Sequence, residues 1–352
     1  MRIRYSTGKN GKLTKKALVY TRDEHGINFA DVNNEAVGIV KRLKDSGFET
    51  YIVGGAVRDL IMGKKPKDFD IVTDANPTRI KKIFRNSRII GRRFRLVHVY
   101  FGRRIFEVST FRSLKDGHTS NTFGSIEEDV LRRDFTMNAL FYDPGHQLVV
   151  DFLGGVNDIK KKKVKPVIPL KEIFLDDPVR MIRAVKYAAT AGFDLPLNLK
   201  LKIKSQSSLL SSISPSRLTE EMFKIINSPQ AAVIVNALDN MGLYMYLQPQ
   251  AVKLMKECPG FRKKYLQSMS LLNCEGFKNL PGETMGALIN DYLEEFAAGN
   301  VAEWKQSPQK NYKIIFAQAR SFVLPINPPR FEMEHAVRRF FTVHGVNIKL
   351  SH

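Results

Sequence analysis

Strand-type runs stop near residue 151 and do not return, and no other feature of the chain constrains its fold as tightly. Before that point, short β-rich runs alternate with glycines and short apolar helices. TYIVGG is followed by AVRDLIMG, and DFDIVT by a helical stretch over 78–86. RLVHVYF and RIFEVSTF are separated only by Gly102 and Arg103, the spacing of a hairpin. A longer helix is predicted from about Asp31 to Asp45, where Val32, Ala36, Val37, Ile39, Val40 and Leu43 form an apolar stripe that ends before Gly47. Beyond Asp176 only helical periodicity remains, and KKKKVKPVIPLKEIF joins the two regimes. The fold class that follows is an α/β head with a mostly antiparallel or mixed sheet, followed by an all-helical body. The expected parts are a basic flexible arm over 1–25, a head over 26–151, a neck over 152–235 and a helical body or tail over 236–352.

With 352 residues, 43% of them hydrophobic, the chain has material for sizeable cores. Its charge balance is unusual: Lys plus Arg is 56 and Asp plus Glu is 35, a net charge of +21. Such an excess points to an anionic partner, either nucleic acid or an acidic membrane surface. No strongly amphipathic basic helix supports the membrane surface, and no apolar run is long enough to span a bilayer. The expectation is no membrane partner and a cytoplasmic location. Two cysteines, Cys258 and Cys274, are too few for a disulfide scaffold or a cysteine-cluster zinc site. The first residues, MRIRYSTGKNGKLTKK, lack the apolar core of a secretory signal; basic and acid-poor, they suit a transit peptide or, as the simpler reading, a flexible basic arm.

The chemistry concentrates in a few short patterns. In DFD, Asp68 and Asp70 are two apart on a strand, so period-two alternation sends both carboxylates to one face. Adjacent carboxylates repel unless a cation lies between them, and a hard divalent ion such as Mg²⁺ suits their oxygens. Upstream, a strand leads through Gly54 and Gly55 into a helix that carries Arg58. Glycines let a phosphate approach the backbone, and a guanidinium grips it in bidentate fashion. Downstream, Glu107 in a strand of the hairpin offers a third carboxylate. Together these features suggest two-metal nucleotidyl transfer.

YIVGGAVRD, KDFDIVT, FEVSTFR, RRDFTMNAL and DDPVRMIRAVKYAA occur in this order. They resemble the bacterial poly(A) polymerase and tRNA CCA-adding enzyme family over roughly residues 25–235. The resemblance implies a nucleotidyltransferase head of the polymerase-β type. It also implies transfer of a nucleoside monophosphate from an NTP to an RNA 3′ hydroxyl, with a two-Mg²⁺ site. It assigns the metal-binding role to Asp68 and Asp70 and the third acidic position to Glu107. Gly54, Gly55 and Arg58 match the triphosphate-binding turn. Arg133, Asp134 and Asn138 fall in a motif that contacts the sugar and phosphates, and Asp134 is also placed to cap a helix beginning at Phe135.

The last motif opens a helix with Asp177 as N-cap and Pro178 as first residue. Arg180, Arg183 and Tyr187 share one face. Asp177 and Arg180 are three apart, which suits a local ion pair or a base-reading pair. A carboxylate accepts from an exocyclic amine while a guanidinium donates to the neighbouring ring nitrogen. Adenine and cytosine satisfy both groups; guanine and uracil leave them unpaired. Spacing alone favours the ion pair; the resemblance, in which an acidic-acidic-x-x-Arg motif reads the base, implies that Asp177, Arg180 and Arg183 contact the nucleotide. In the family, the first acidic position is usually Glu, and here it is Asp176.

RIIGRRFRLVHV, between the D-x-D and Glu107, resembles the poly(A) polymerase branch rather than the CCA-adding one. The expected activity is addition of AMP from ATP to an RNA 3′ end. The alternatives are CCA addition to tRNA or, in another class, an inactive RNA-binding protein on the same scaffold. From Lys81 to Arg104 there are nine Lys or Arg and no acid, interleaved with aromatics. Within this run Arg92, Arg93 and Arg95 are the expected RNA-backbone contacts. Lys160 to Lys163 form a second basic cluster. The stretch PPRFEMEHAVRRFF reads equally as an RNA contact or as a helix packed on the body.

Overall fold

A computed structural model describes residues 2–7, 13–91, 96–113, 122–272, 282–297 and 301–348. The chain divides into two compact units. One comprises residues up to Asp176 together with Asp194–Pro196, and the other Asp177–Phe193 with everything from Leu197 onward.

The first unit is built on one nine-stranded sheet. Its strands are β1 (Arg2–Thr7), β2 (Leu13–Tyr20), β3 (Thr50–Val53), β4 (Asp70–Thr73), β5 (Ser87–Ile90), β6 (Leu96–Phe101), β7 (Arg104–Thr110), β8 (Leu140–Asp143) and β9 (Leu148–Asp151). Their spatial order is β1-β2-β9-β8-β3-β4-β7-β6-β5, and only the β4–β7 pair is parallel. The helices are α1 (Arg22–His25), α2 (Asn34–Asp45), α3 (Gly55–Ile61), α4 (Pro77–Ile83), α5 (Ile126–Leu131), α6 (Gly155–Lys160) and α7 (Ile173–Asp176). The expected helix over 31–45 begins at Asn34, where Asn33 caps it by accepting from the Ala36 N–H at 3.0 Å. Ala36, Ile39, Val40 and Leu43 bury the stripe read from the sequence. The hairpin forms as expected, with Phe101 opposite Arg104 across Gly102 and Arg103.

The expectation of a flexible arm over 1–25 is corrected. β2 pairs with β9, and β1 with β2. Ala17 is buried in the same apolar cluster as Tyr51, Val53, Val72 and Phe141. The basic composition hid a strand whose partners on β9 lie 129 to 133 residues away. The first unit also continues past residue 151. Val164 N–H donates to Asp194 O at 3.1 Å, and Val167 N–H donates to Asp134 O at 3.1 Å, so the joining segment is stitched into the head.

The second unit is all-helical, as expected. Its helices are α8 (Val179–Ala191), α9 (Leu197–Gln206), α10 (Pro215–Ile226), α11 (Ala231–Asn240), α12 (Pro249–Glu257), α13 (Pro259–Leu271), α14 (Glu283–Phe296), α15 (Val301–Gln306), α16 (Pro308–Val323) and α17 (Arg330–Val343). The stretch PPRFEMEHAVRRFF forms the start and most of α17 and packs on the body. Phe340 and Phe341 lie against Trp304, and Arg339 pairs with Glu283 of α14. Among the described residues no helix is long and apolar enough to cross a membrane.

Candidate active site

The site grows from the edge of β3. All four residues of that strand are buried, and the chain leaves it through Gly54 at φ 72°, ψ −133°. This backbone geometry is reserved for glycine. The Gly54 N–H donates to Leu140 O at 3.4 Å, which ties the turn to the start of β8. Gly55 begins α3. A Cβ at Gly54 would lie 3.7 Å from Arg133 Nη1, and one at Gly55 would lie 3.6 Å from Arg58 Nη2. Two guanidiniums therefore flank the turn.

Both are held in place by other side chains. Arg58, only 9% exposed, donates from Nε and Nη2 to Asp59 Oδ1 at 2.9 and 2.8 Å and from Nη1 to Asn138 Oδ1 at 2.8 Å. Asn138 Nδ2 donates in turn to Asp134 Oδ1 at 3.1 Å. Arg133 donates from Nε and Nη2 to Asp129 Oδ2 at 3.1 and 2.8 Å and from Nη1 to the Asn138 carbonyl at 3.2 Å. Its guanidinium also lies over the Phe141 ring, 5.0 Å from the centroid. Arg133 uses three of its five N–H groups in these contacts, and the rest remain for a ligand. Gly54, Gly55, Arg58, Arg133, Asp134 and Asn138 thus form one connected network.

The cap expected at Asp134 is displaced by one residue. The segment makes a single 3₁₀ turn, Thr136–Asn138, whose N-cap is Phe135. Asp134 Oδ1 instead accepts from the Phe135 N–H at 2.8 Å and from Asn138. Asp129, the buried partner of Arg133, was not expected. Its only sequence signal is the four-residue spacing to Arg133.

The carboxylates stand beside this turn. Asp70 opens β4 and is the cross-strand partner of Val53, the residue before Gly54. Asp68 and Asp70 are both exposed, with buried Phe69 between them; β4 starts only at Asp70, so Asp68 precedes the strand on which the sequence reading placed it. Parallel pairing of Ile71 with Val108 sets Asp70 level with Glu107 on β7. Glu107 Oε1 lies 3.6 Å from Nε2 of His98, its own cross-strand partner. Among the described residues no group of three or more His, Cys, Asp or Glu side chains is gathered closely enough to hold an ion. Two hard, exposed carboxylates two residues apart fit Mg²⁺ nonetheless, since that ion takes one or two protein carboxylates and completes its shell with water and phosphate. An open pocket of about 800 Å³ lies against Asp68, lined also by Asn34, Glu35, Lys65, Lys67 and Arg103. Arg92, Arg93 and Arg95 lie outside the described residues.

In the second unit, α8 begins at Val179 with Pro178 as N-cap, one residue later than expected. Asp177 still does a cap's work, accepting from the Val179 N–H at 3.2 Å. Its two oxygens each lie 2.9 Å from Arg217 Nη2, a residue of α10 that the sequence did not single out. Arg180 is 6% exposed. Arg183 donates from Nε and Nη2 to Glu221 Oε1 at 3.0 and 2.8 Å. Glu221 also pairs with Lys186 at 3.4 Å and Lys224 at 3.2 Å. Burial pushes the Glu221 carboxyl up, but Arg183, Lys186 and Lys224 outweigh it and hold its pKa at about 2. Burial lowers the Lys186 pKa, and Glu221 opposes that shift. The sequence did carry a signal for Glu221: it falls on the apolar face of α10, three residues from Leu218 and four from Ile225.

Residues 50–165 match the family described as "Poly A polymerase head domain". Residues 192–255 match the one described as "Probable RNA and SrmB- binding site of polymerase A". The chain is 39% identical over 258 residues to Poly(A) polymerase I of Escherichia coli O157:H7, covering 69% of this chain and 56% of that protein. It is 39% identical over 225 residues to the CCA-adding enzyme of Geobacillus thermodenitrificans, covering 62% and 55%. Among solved structures, the Bacillus stearothermophilus CCA-adding enzyme in complex with CTP is similar, with a TM-score of 0.59 and 29% identity over 88% of this chain and 82% of that one. The chain spans just over half the length of the curated relatives it matches. On the strength of these matches, with the glycine turn, D-x-D and arginine network all inside residues 50–165, the chain belongs to the class II nucleotidyltransferase family of bacterial poly(A) polymerases and tRNA CCA-adding enzymes.

Proposed function

We propose that the protein is a template-independent RNA 3′ adenylyltransferase, adding AMP from ATP to an RNA 3′ hydroxyl and releasing pyrophosphate. The observation that carries this reading is the strand register that sets Asp70 beside both the glycine turn and Glu107. The 3′ oxygen attacks the α-phosphorus; a new P–O bond forms as the bond to the pyrophosphate oxygen breaks. Arg58 and Arg133 face the turn and neutralise triphosphate charge there. Asp68 and Asp70 would hold Mg²⁺, which supplies a lowered hydroxyl pKa and charge neutralisation on the phosphates when bound. The rest of the work is positioning, and no general base is needed.

Asp177 and Arg180 read the base in this proposal. A carboxylate offers about four acceptor positions. Arg217 takes one on each oxygen and the Val179 N–H a third, which leaves one for an exocyclic amine. Resemblance to Poly(A) polymerase I over 68–69% of the chain supports the adenylyl reading. The second reading, CCA addition to tRNA, is favoured by the likeness to the B. stearothermophilus enzyme.

The test is direct. The protein is incubated with Mg²⁺ and a generic RNA, and separately with tRNA lacking its terminus. Each NTP is supplied alone, and CTP and ATP together. Long A tails on generic RNA from ATP alone are expected. A single completed terminus on tRNA that needs both CTP and ATP establishes the second reading instead. No transfer under any condition removes both.

A further inference from the structure

Lys160, Lys161, Lys162, Lys163 and Lys165 crowd six consecutive positions, and all five are exposed. Among the described residues none of the five makes an ion pair. Lys160 has a local reason to be basic, since it ends α6 and faces the negative end of that helix. Lys161, the C-cap of α6, shares that reason, and the other three have none. Like charges at this density repel one another, and an unpaired run is retained at a cost unless an anion meets it.

The segment is fixed to the nucleotide-binding motif. The Thr136 N–H donates to Lys165 O at 2.9 Å, and the Val167 N–H donates to Asp134 O at 3.1 Å. Phe135 and Pro166 form a bridge between these two bonds. On its other side Lys163 bridges Asp194, with the Asp194 N–H donating to Lys162 O at 2.7 Å. Asp158 of α6 accepts from Thr136 Oγ1 at 2.7 Å. Lys162 adopts φ 51°, a left-handed conformation that L side chains rarely occupy and that glycine would take freely. A lysine is thus kept where the backbone favours glycine, on a loop clamped along both edges.

We infer that Lys160–Lys165 form a docking surface for the phosphodiester backbone of RNA, gripping the body of the substrate upstream of its reacting 3′ end. This rests on the reading of RNA as the substrate. The surface reads charge and not sequence, because ammonium groups on flexible stems contact phosphates without base discrimination. Its clamping to the Asp134–Thr136 backbone relates the gripped backbone to the nucleotide network.

The experiment compares the wild-type chain with the quadruple variant K160Q/K161Q/K163Q/K165Q and with Lys162→Gly. Binding of a single-stranded RNA of about 20 nucleotides is measured without nucleotide, from about 50 to about 300 mM KCl. The quadruple variant is expected to flatten the slope of log K against log salt by about two to three units, at roughly 0.7 per phosphate. In turnover assays its KM for RNA rises about tenfold while its KM for ATP stays within about twofold. Lys162→Gly removes one charge and relieves the strained φ, so RNA binding weakens without a drop in Tm. An unchanged salt slope in the quadruple variant, or unchanged RNA binding by Lys162→Gly, overturns the proposal. So does loss of binding to polyglutamate with no change for RNA, which assigns the surface to an acidic protein. If wild-type protein transfers no AMP but the slope flattens as stated, the docking surface stands and the adenylyl reading falls.

Discussion

The exposed–buried–exposed pattern of Asp68, Phe69 and Asp70 was legible in the sequence because alternation along an extended chain is local; the metal-holding role of the two carboxylates is the proposal to test. Asp70→Asn and Asp68→Asn should each cut AMP transfer by roughly 10²–10⁴-fold, the scale of removing a metal-borne charge from a phosphoryl site. Both side chains are exposed, so Tm should stay unchanged; single-turnover assays beside thermal melts check the two halves of that statement. Asp177 was legible only in part. Its spacing to Arg180 is visible along one helix, whereas Arg217 reaches it across a separation of 40 residues. No periodicity within α8 reports a partner on α10. Arg217→Ala should leave Asp177 less firmly oriented and cost about 1–3 kcal/mol in ATP use. The expected outcome is a lower kcat/KM for ATP together with a smaller preference for ATP over GTP and UTP. A uniform loss across all four NTPs would mark Arg217 as a packing residue of the helix pair.

At the scale of elements, hairpin, glycine turn and the long α2 were legible because each is set by a local pattern. β2 was not, because its Thr14, Lys15 and Lys16 read as solvated chain until β9 supplies the ladder. The close approach of α6 to the Thr136 turn was equally hidden. A Cβ at Gly155 would lie 2.2 Å from the Thr136 carbonyl oxygen, so only glycine lets α6 reach the segment between Arg133 and Asn138. Gly155→Ala must push these elements apart at a cost of about 1–3 kcal/mol. That corresponds to a fall in Tm of roughly 2–12 °C for a unit of this size. Because Thr136 lies between Arg133 and Asn138 of the network proposed to bind the nucleotide, the KM for ATP should rise as well. Gly154→Ala, whose Cβ meets nothing within 4 Å, controls for backbone strain alone at φ 83° and should spare the KM.

For the whole molecule, the change of periodicity announced an α/β part and a helical part, and the excess of positive charge pointed to the anionic partner proposed above. Where the division falls was not legible, because the lysine-rich segment looks like a linker until its backbone bonds to Asp134 and Thr136 are seen. The same excess charge governs how the molecule meets acid. Lowering the pH removes negative charge from a chain already at +21, so self-repulsion grows as the carboxylates protonate. Glu221 is the buried carboxylate on which this bears most heavily in the second unit, since it neutralises Arg183, Lys186 and Lys224 at once. Its pKa lies below the unfolded value of 4.5, at about 2. A depressed carboxylate stabilises the folded state fully above its unfolded pKa and loses that contribution as pH falls through the folded one. The contribution is about 3 kcal/mol at neutral pH, and it fades between about pH 4.5 and pH 2. Glu221→Gln should therefore lower Tm at pH 7 by on the order of 10 °C. The gap between wild type and variant should narrow steadily as melts are repeated toward pH 3. A gap that stays constant over that range would mean that shape, and not charge, is what Glu221 contributes between α8 and α10.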